Sequence, residues 1–572
     1  MKKLLFILPM CVAIGCTSVQ RSERVETFCN PMNLSYRYCL DEPSRREAAD
    51  PSMVTFKGEY YLFLSKSGGY FHSTDLIRWD LIVPDELPIE SYAPTAVVIN
   101  DELYFHTSGD RRVFKTSDPK SGKWQLVAEI PINQWDPMIF CDDDGRIYYY
   151  WGCSNEHPIM GVELDRSTFQ PIGDPVACIL HRTEEHGWER LGDYNEGSQG
   201  EQGEKKAFNE GAWMNRYNGR YYLQYATPGT EFKSYADGVY VSEQPLGPFR
   251  PAKVNPFACK PEGFANGAGH GSTFQDIHGN YWHIGTVTIS EKHMFERRLA
   301  LFPVFFDGDG EMSALTAFGD YPIVMPSGKV DDAQRLLMGW MLLSHRKPTE
   351  ASSSLEGFDA RQAVDENIRT YWSAATGNRG EYLSVDMGEK CTVHAVQVNF
   401  ADHHSTTLGR HDSLRRRYLL ECSDNGEAWR TLVDKSTAEA DLSHDYISFP
   451  QPVTTRYVRL TNAETLRSCF SVSGLRLFGK SGRPAPGAAE SLRAERQADR
   501  RTVILRWNAN PHATGFNIRF GAQPDKLYRS YMVYDSSSVA IRSLSVHEPY
   551  YFAVDAFNEG GVTKGTATVK IE

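Results

Sequence analysis

The sequence lacks the features of a zinc module, a membrane-spanning protein or a nucleic-acid-binding protein. Its 11 cysteines include no CxxC pair, so a cysteine-based zinc site is not expected. Beyond the N-terminal segment, no apolar run reaches the roughly 18 residues that a membrane-spanning helix needs. Acidic residues outnumber basic residues by 73 to 61, and the net charge of −12 disfavours binding to nucleic acid, which relies on clustered cations. The remaining composition, with 41% apolar and 23% charged residues, is typical of a folded protein.

The N-terminus has the pattern of an export signal. Lys2 and Lys3 precede a short apolar run over residues 4–14, which is followed by Gly15 and Cys16. Residues 1–16 are therefore predicted to be a lipoprotein signal peptide with Cys16 as its lipidated residue, the alternative being an ordinary signal with a chance cysteine. We expect secretion across the inner membrane to the periplasm, the outer membrane or the cell surface, with membrane contact only through the lipid anchor.

Cys29 and Cys39 lie close together in the sequence. In an oxidising compartment the two thiols are candidates for a local disulfide, and two free buried thiols are the equally open alternative.

Five segments between residues 50 and 310 repeat one plan. Each has a polar turn motif, an apolar strand, a tight turn and an aromatic strand, and the segments begin with ADPSMVTF, YAPTAVVI, WDPMIFC, FNEGAWMNRY and GHGSTFQ. A repeat of about 40–50 residues with several short strands is typical of a β-propeller blade. The sequence therefore predicts an all-β protein with a five-bladed β-propeller over residues 28–326.

Aligning the five repeats on their turns brings chemically active residues to one equivalent position. The position lies at the entry to the innermost strand and holds Asp50, Ala93, Asp136, Glu210 and His270. In a propeller such positions form a ring around the central axis. Converging carboxylates repel one another, which separates their pKa values into those of an acid and a base, as glycoside hydrolysis requires. The plain alternative is a set of turn residues without chemistry.

Neighbouring residues suggest the walls of a pocket. Trp135, Trp213 and Tyr92 flank ring positions and are candidates to stack on a sugar, although packing between blades is equally open. A polar insertion over residues 181–206 precedes Glu210. Its composition excludes it from the core and predicts that it forms one wall of the pocket.

The blade motifs resemble those of glycoside hydrolase family 43, a family of five-bladed propeller enzymes. The motifs are Ala-Asp50-Pro-Ser, Trp-Asp136-Pro, Asn-Glu210-Gly and Gly-His270-Gly-Ser. The resemblance implies that Asp50 is the general base and that Glu210 is the general acid. It also implies that Asp136 tunes the pKa of the acid and holds it in place.

The same resemblance implies the substrate contacts and the reaction. His270 matches an axial histidine that contacts substrate and lies beside a calcium ion or water, and Arg297 matches a substrate-contacting arginine, with Arg298 as the alternative. The family inverts the anomeric centre and acts mostly on arabinofuranosides, xylosides and related galactosides. We therefore expect a monomeric, inverting exo-glycoside hydrolase that removes terminal pentose or galactose-type residues from complex polysaccharides. No cofactor is expected to be required, although a structural calcium ion is left open.

Two readings from other classes stay open at this point. One is a non-catalytic glycan-binding surface lipoprotein, and the other is a different activity on the same scaffold, such as a phosphorylase, because a fold alone does not fix function.

The second half of the chain predicts two accessory β-sandwiches. After a connector at 327–346, residues 347–480 resemble a discoidin or coagulation factor 5/8 type C domain, through Ala363-Val364-Asp365, Thr370-Tyr371-Trp372, the strand at 383–388 and the strand at 456–460. Bacterial members often bind carbohydrate. Trp372 and Leu383 are expected in its core, and its binding surface is expected at a loop end with His403, His404 and Arg410.

The last segment follows a linker rich in proline and glycine, at 481–487. Residues 488–572 resemble a fibronectin type III domain, with Trp507 as the core tryptophan and Tyr550 as a corner tyrosine. We expect this domain to act as a spacer or in packing.

Overall fold

The computed structural model describes residues 25–200, 203–289, 292–410, 414–508 and 510–572, and these residues form an all-β protein. Within these ranges the helical segments are four short 3₁₀ turns: Pro119–Ser121, Gly187–Glu189, Ala333–Leu336 and Ala360–Ala363. None of the described residues forms a helix long and apolar enough to cross a bilayer. The predicted signal peptide and Cys16 lie outside the described residues.

Among the described residues, five four-stranded antiparallel sheets follow one another along the chain, each built from consecutive strands. Their strands are Ser52–Phe56, Glu59–Phe63, Tyr70–Ser73 and Asp80–Ile82; Thr95–Ile99, Glu102–His106, Arg112–Thr116 and Gln125–Glu129; Met138–Cys141, Ile147–Trp151, Ile159–Leu164 and Pro171–Ile179; Glu210–Tyr217, Arg220–Thr227, Ala236–Ser242 and Arg250–Pro251; Gly267–Gln275, Tyr281–Thr288, Arg297–Phe306 and Met312–Ala314. The first strand of each sheet packs against that of the next, and the fifth packs against the first. The described strands therefore close into a ring, called here the sheet ring.

Short hydroxyl side chains join neighbouring sheets close to the axis of the ring. Three hydroxyls that stand two residues after a ring position accept a first-strand N–H from the next sheet: Ser52 from Ala96 at 2.9 Å, Thr95 from Ile139 at 3.3 Å and Ser272 from Met53 at 3.1 Å. Each bond satisfies a buried backbone donor and fixes the height of one sheet relative to the next. The entries to the first strands are thereby held at the same end of the axis.

The segment before the first sheet is fixed to the end of the last one. Thr27–Phe28 pairs antiparallel with Ile323–Val324. The side-chain amide of Asn30 donates to the carbonyl oxygen of Leu301 at 2.9 Å, and its oxygen accepts the N–H of Leu301 at 2.9 Å. Strand pairing and the side chain of Asn30 therefore join the beginning of the domain to its end.

Cys29 and Cys39 do not form the local disulfide that the sequence left open. Cys29 and Cys39 are buried free thiols, and all nine cysteines in the described part of the chain are free. The thiol of Cys29 lies 3.2 Å from the carbonyl oxygen of Asp320, and that of Cys39 lies 3.2 Å from a carboxylate oxygen of Glu47.

The connector leads into an eight-stranded sheet that folds over its own core. Asp332 caps the 3₁₀ turn by accepting the N–H of Gln334. The strands of the sheet are Met341–Leu342, Thr349–Ala351, Trp372–Ser373, Tyr382–Phe400, Arg416–Ser423, Arg430–Asp434, His444–Thr465 and Ser471–Lys480. Its first strand lies before the predicted boundary at residue 347. As expected, Trp372 and Leu383 are fully buried in its core.

The loop that was expected to bind sugar contacts the sheet ring instead. His403 is buried against Phe358 and receives a hydrogen bond of 2.8 Å from the hydroxyl of Tyr371, with which it also shares a ring contact. Arg410 donates to the backbone oxygen of Ser35 at 3.3 Å but, like His404, is exposed. His403 is therefore closed to a ligand, which corrects the prediction for that residue, whereas the binding roles expected of His404 and Arg410 stay predictions.

Residues 488–572 form a sandwich of two antiparallel sheets, called here the C-terminal sandwich. One sheet contains Arg493–Arg496, Val503–Arg506 and Ser538–Ile541, and the other contains Gly515–Gly521, Arg529–Tyr534, Tyr550–Asn558, Gly561–Thr563 and Val569–Ile571. Trp507 and Tyr550 are buried between the sheets, and the hydroxyl of Tyr550 accepts the N–H of Ser545 at 3.0 Å. The assignment to the fibronectin type III class stays a prediction.

The insertion at 181–206 departs from its expected behaviour, because part of it is core. Trp188 and Glu189 are fully buried. The indole of Trp188 lies 5.6 Å from the ring of Tyr225, whose hydroxyl donates to the carboxyl of Glu189. Burial raises the pKa of Glu189 to about 8, so this carboxyl remains neutral at neutral pH. Although the insertion is polar on average, Trp188 and Glu189 therefore form a short buried segment that packs against the sheet ring.

Replacing Arg476 tests the junction between the sheet ring and the eight-stranded sheet. Its buried guanidinium holds Glu366 through two bonds of 2.9 and 2.8 Å and donates to the carbonyl oxygen of Asp320 at 2.6 Å. Arg476→Ala leaves Glu366 buried and unpaired, at an expected cost of about 3–5 kcal/mol. The thermal unfolding midpoint should fall clearly, whereas the exposed control Arg430→Ala should barely change it. Equal midpoints for the two variants would show that the buried pair of Arg476 and Glu366 does not stabilise the junction.

Candidate active site

The ring positions share an unusual backbone conformation. A left-handed φ between 44° and 53° occurs at four of the five positions: Asp50, Ala93, Asp136 and His270. This conformation costs residues other than glycine roughly 1–2 kcal/mol, and it is retained where the surroundings enforce it. In the fourth repeat the left-handed residue is Gly211, at 64°, and not Glu210. The alignment on turns is therefore one residue out in this repeat, and Glu210 approaches the axis from the neighbouring position.

The preceding sheet holds each strained residue by its backbone N–H. The donors and acceptors are Asp50 to Thr286 Oγ1 at 3.3 Å, Ala93 to Ser65 Oγ at 2.7 Å, Asp136 to Ser108 Oγ at 2.9 Å and His270 to Asp237 Oδ1 at 2.7 Å. Because the acceptor always belongs to the sheet before, closure of the ring and the geometry of the site depend on each other.

Asp50 is buried yet kept ionised by its neighbours. One carboxylate oxygen accepts the hydroxyl of Ser65 at 2.5 Å, and the other lies 3.2 Å from Arg297 Nη1 and 3.3 Å from His270 Nδ1. Burial raises the pKa of Asp50, but the charges of Arg297 and His270 outweigh burial and lower it below its ordinary value. Asp50 is therefore a carboxylate throughout the neutral and mildly acidic range.

Arg297, rather than Arg298, belongs to the site. Its guanidinium donates to Glu47 at 2.7 Å and to the hydroxyl of Thr230 at 3.3 Å, besides its contact with Asp50. Arg298 points to the opposite face of the strand, as alternation requires, and lies 3.1 Å from His444 Nε2. Sequence reasoning missed the buried Glu47, because it precedes the first repeat and no spacing marks it.

Asp136 is the carboxyl group that retains a proton. One of its oxygens lies 3.6 Å from His270 Nδ1 and accepts the N–H of Gly211 at 3.2 Å. Burial, together with the carboxylates of Glu210 and Asp50, outweighs His270 and raises the pKa of Asp136 to about 7. The cluster therefore combines an ionised Asp50 with an Asp136 that is protonated below neutral pH.

Glu210 is fixed by two donors that sequence reasoning missed. The hydroxyl of Tyr235 donates to one oxygen at 2.5 Å, and the thiol of Cys153 donates to the other at 3.3 Å. Burial raises the pKa of the Cys153 thiol, so it acts as a donor rather than as a thiolate. Potential ligand atoms of Asp136, Cys153 and Glu210 all lie within 4.8 Å of one another. The structure thus brings together all three carboxyl residues that the repeats predicted.

His270 supplies the positive charge at the centre of this cluster. Burial lowers the pKa of its imidazole, but Asp50, Asp136, Glu210 and Asp237 outweigh burial and raise it above its ordinary value. Its Nδ1 faces both Asp50 and Asp136. A protonated His270 therefore offsets the repulsion between the carboxylates.

The donor atoms fit a calcium ion poorly. Calcium prefers six to eight oxygen ligands. Within the described residues, one group of three potential metal ligands lies close enough to share an ion, and one of its members is the protonated thiol of Cys153. The carboxylates around His270 contact that imidazole directly. The expected calcium ion therefore stays a prediction that the arrangement of these side chains does not favour.

An aromatic surface borders the pocket on the side of Asp50. The ring of Tyr92 lies 6.5 Å from that of Trp135, which is 53% exposed, and 5.9 Å from that of Phe295. The guanidinium of Arg297 lies 5.0 Å from the ring of Phe295. These three rings, called here the aromatic arc, give a partly exposed flat surface of the kind that stacks on sugars. Phe295 was missed because it lies between two repeat strands.

Trp213 takes the other role that the sequence left open. It is buried, and its indole N–H donates to the carbonyl oxygen of Thr273 at 3.0 Å. It therefore packs between the fourth and fifth sheets, and its prediction as a substrate contact is wrong. Strand alternation turns this side chain away from the axis.

Comparison with known families agrees with this geometry. Residues 44–312 match the profile described as glycosyl hydrolases family 43. The sheet ring is the part of the chain that matches family 43 glycosyl hydrolases, and it is called here the family 43 domain. Residues 348–472 match the F5/8 type C domain, so the discoidin-type assignment is also confirmed.

Curated relatives of the family 43 domain are distant. A non-reducing end alpha-L-arabinofuranosidase, BoGH43B of Bacteroides ovatus, is 24% identical over 296 residues, which are 46% of this chain and 50% of the relative. A beta-xylosidase of Xylanibacter ruminicola is 29% identical over 157 residues, or 23% of this chain and 41% of the relative. The chain thus spans about half the length of the curated relatives it matches.

Solved structures align over longer stretches. The alignment with the structure of Bacteroides ovatus Xyloglucan PUL GH43B covers 95% of this chain and 98% of that chain, at 15% identity and a TM-score of 0.42. A thermostable family-43 glycoside hydrolase covers 50% of this chain and 96% of its own, at 20% identity and a TM-score of 0.41.

The raised pKa of Asp136 predicts that replacing this residue stabilises the fold, and that the gain in stability depends on pH. Between its ordinary pKa of 3.8 and about 7, the folded protein binds a proton that the unfolded chain does not. The contribution of this group to stability therefore falls as the pH rises through that window. Asp136→Asn keeps an acceptor for Gly211 and removes the titration. Its unfolding midpoint should rise relative to the parent more at pH 8 than at pH 5.

The exposed control Asp144→Asn should show no such growth with pH. A difference between Asp136→Asn and the parent that is constant from pH 5 to pH 8 would show that Asp136 is ionised throughout.

Proposed function

We propose that the family 43 domain is an inverting, exo-acting glycoside hydrolase that removes terminal pentose residues from oligo- or polysaccharides. The observation that carries the proposal is the division of charge around His270. Asp50 is held ionised on one side by Arg297, and a proton-retaining Asp136 stands beside Glu210 on the other. Hydrolysis of a glycoside needs one carboxylate and a second carboxyl group that donates a proton, the roles assigned here to Asp50 and Glu210.

The reaction follows from these positions in one displacement. Asp50 takes a proton from a water molecule while the water oxygen attacks the anomeric carbon. The bond from that carbon to the leaving oxygen breaks, and Glu210 gives its proton to the leaving oxygen. Attack from the face opposite the leaving group inverts the anomeric centre. Proton exchange with solvent then returns Asp50 to its carboxylate and Glu210 to its acid form, so no group of the protein is consumed.

Asp136 acts on the acid rather than on the sugar in this scheme. Its bond to the N–H of Gly211 fixes the residue that follows Glu210. The same oxygen of Asp136 lies 3.6 Å from His270 Nδ1, so Asp136 links the backbone beside Glu210 to the histidine at the centre of the site. Asp136 therefore places the acid.

The substrate contacts assigned here come from three parts of the site. Protonated His270 and Arg297 present N–H donors beside Asp50, where hydroxyl groups of the terminal sugar would bind. Trp135 and Tyr92 belong to the aromatic arc and are placed to stack on the sugar. An exposed tryptophan at the mouth of a charged pocket is a natural site for the next sugar along the chain.

The choice of sugar rests on the names of relatives. Those relatives are called arabinofuranosidases and xylosidases, and one name specifies the non-reducing end. We therefore favour a terminal pentose over a galactose-type residue. The intact charge network around Asp50 favours hydrolysis over the alternative of a non-catalytic glycan-binding protein.

We propose that the five sheets are the blades of a five-bladed propeller, supported by the closed ring of first strands. The C-terminal sandwich is proposed to be a fibronectin type III domain, supported by its three-plus-five strand arrangement and by the bond of Tyr550. Export of a monomeric protein as a lipoprotein anchored through Cys16 rests on the sequence alone.

Substitution of the two reacting carboxyls should separate their roles. Asp50→Asn should lower kcat about 10²–10⁴-fold on every substrate, because the base is needed for each. Glu210→Gln should cause a similar loss on natural oligosaccharides but much less on dinitrophenyl pentosides, whose leaving group needs little protonation. The exposed control Glu129→Gln should retain parental kinetics. Near-normal activity of Asp50→Asn or Glu210→Gln on natural substrates would sink the proposal.

Removal of metal should leave the enzyme unchanged. Because the donor set at the axis fits calcium poorly, we expect kcat/KM and the unfolding midpoint to be the same before and after dialysis against EDTA. Loss of either quantity, with recovery on adding calcium, would show that an ion supports His270.

A further inference from the structure

The insertion at 181–206 is joined to the C-terminal sandwich by backbone hydrogen bonds. The N–H of Gly187 donates to the oxygen of Leu544 at 2.9 Å, and the N–H of Val546 donates to the oxygen of Glu185 at 2.9 Å. Arg501 adds a bond of 2.8 Å to the oxygen of Thr183. These bonds make a short antiparallel junction between segments more than 300 residues apart in sequence, so the sandwich restrains the insertion.

The same insertion packs directly behind the strand pair that carries the acid. The indole of Trp188 fills the space over Gly238, where a Cβ atom would clash with it. It also packs on Tyr225, and Tyr225 precedes Ala226, the cross-strand partner of Glu210. A shift of the insertion would therefore move the strand that pairs with Glu210.

A second contact reaches the loop at 229–235, called here the acid loop. The N–H of Lys233 donates to Asp193 at 2.9 Å, and the hydroxyl of Ser234 donates to the oxygen of Gly192 at 2.7 Å. The next residue in the loop is Tyr235, which donates to Glu210. The insertion thus fixes the loop that carries Tyr235, and Tyr235 in turn is hydrogen-bonded to Glu210.

The discoidin-type domain reinforces the same loop. Arg369 pairs with Asp193 at 2.9 Å and donates to the backbone oxygen of Glu231 at 3.0 Å. Thr230, at the start of the loop, contacts Arg297. The discoidin-type domain therefore contacts the acid loop directly, whereas the C-terminal sandwich reaches it through the insertion.

We infer that the C-terminal sandwich is a positioning element for the general acid, acting through the insertion and the acid loop on Tyr235 and Glu210. The inference rests on the proposed function, because it assigns Glu210 as the acid. It departs from the sequence expectation of a spacer. A positioning role predicts a selective loss: reactions that need protonation of the leaving group should suffer, and those that do not should be spared.

A single added methyl group can separate the sandwich from the insertion. A Cβ atom at Gly187 would clash with the backbone oxygens of Arg542 and Leu544. Gly187→Ala in the full chain therefore wedges the junction apart without touching the pocket. Gly308→Ala is the matched control, because its Cβ atom would have no neighbour within 4 Å.

For Gly187→Ala we expect kcat on a methylphenyl pentoside, which has a poor leaving group, to fall about 10- to 100-fold. On the dinitrophenyl pentoside kcat should change less than about threefold, and KM should hold for both. Gly308→Ala should match the parent. Unchanged kinetics, or an equal fall on both substrates, would overturn the inference.

Two variants of Arg501 disturb the junction less and test the inference if Gly187→Ala fails to fold. Arg501→Ala removes the bond to Thr183 and should show the same selectivity at smaller size, and Arg501→Lys should restore part of the loss. Arg506→Ala, an exposed arginine on the same sandwich, is the control. Equal kinetics of Arg501→Ala and Arg506→Ala on both substrates would contradict the assigned role.

Hydrogen exchange tests the coupling without any activity. In Gly187→Ala or Arg501→Ala, the amides of Lys233 and Tyr235 should exchange faster than in the parent, while those of the first sheet stay unchanged. Parental exchange in the acid loop would refute the coupling. If the loop responds and the parent hydrolyses no glycoside, the proposed function fails and the positioning of Glu210 by the sandwich stands.

Discussion

A buried imidazolium between carboxyl groups is the interaction on which the rest of this structure depends. Three acidic side chains around one axis would repel one another in the absence of a cation. His270 Nδ1, 3.3 Å from Asp50 and 3.6 Å from Asp136, reduces that repulsion, and Arg297 assigns most of the remaining negative charge to Asp50. The result is an unequal distribution of protons, which acid–base chemistry requires.

The fold maintains this arrangement at a local cost. Left-handed backbone at the ring positions is unfavourable by itself, and each strained N–H is held by a side chain of the preceding sheet. The hydroxyls that join successive first strands fix the same ends again. Since the ring closes on itself, no single sheet can relax without moving its neighbours. The strain is thus retained where the chemistry is proposed to occur.

The sequence was most informative where the repeat governs the structure. Asp50, Asp136 and His270 were found from turn spacing because their backbone conformations are equivalent. Glu210 was found as well, but the equivalent residue is Gly211, since spacing alone does not reveal the irregular register at the start of this strand. Glu47 and Tyr235 could not be found, because they come from segments outside the repeats.

Composition misled where it was averaged over a segment. The insertion is polar overall, yet Trp188 and a neutral Glu189 anchor it in the core. In the loop predicted to bind sugar, His403 is buried against Phe358 and Tyr371 of the same domain, whereas His404 and Arg410 are exposed. Pairings between domains are set by three-dimensional docking, and a local pattern carries no record of them.

The most direct test of the central claim is a crystal structure of the Asp50→Asn variant with a short pentose oligosaccharide. The account predicts a terminal sugar above His270, with its anomeric carbon between residue 50 and the carboxyl of Glu210 and its leaving oxygen within hydrogen-bond distance of Glu210. Oligosaccharide bound away from this axis, or Glu210 directed to the outside of the ring, would contradict it.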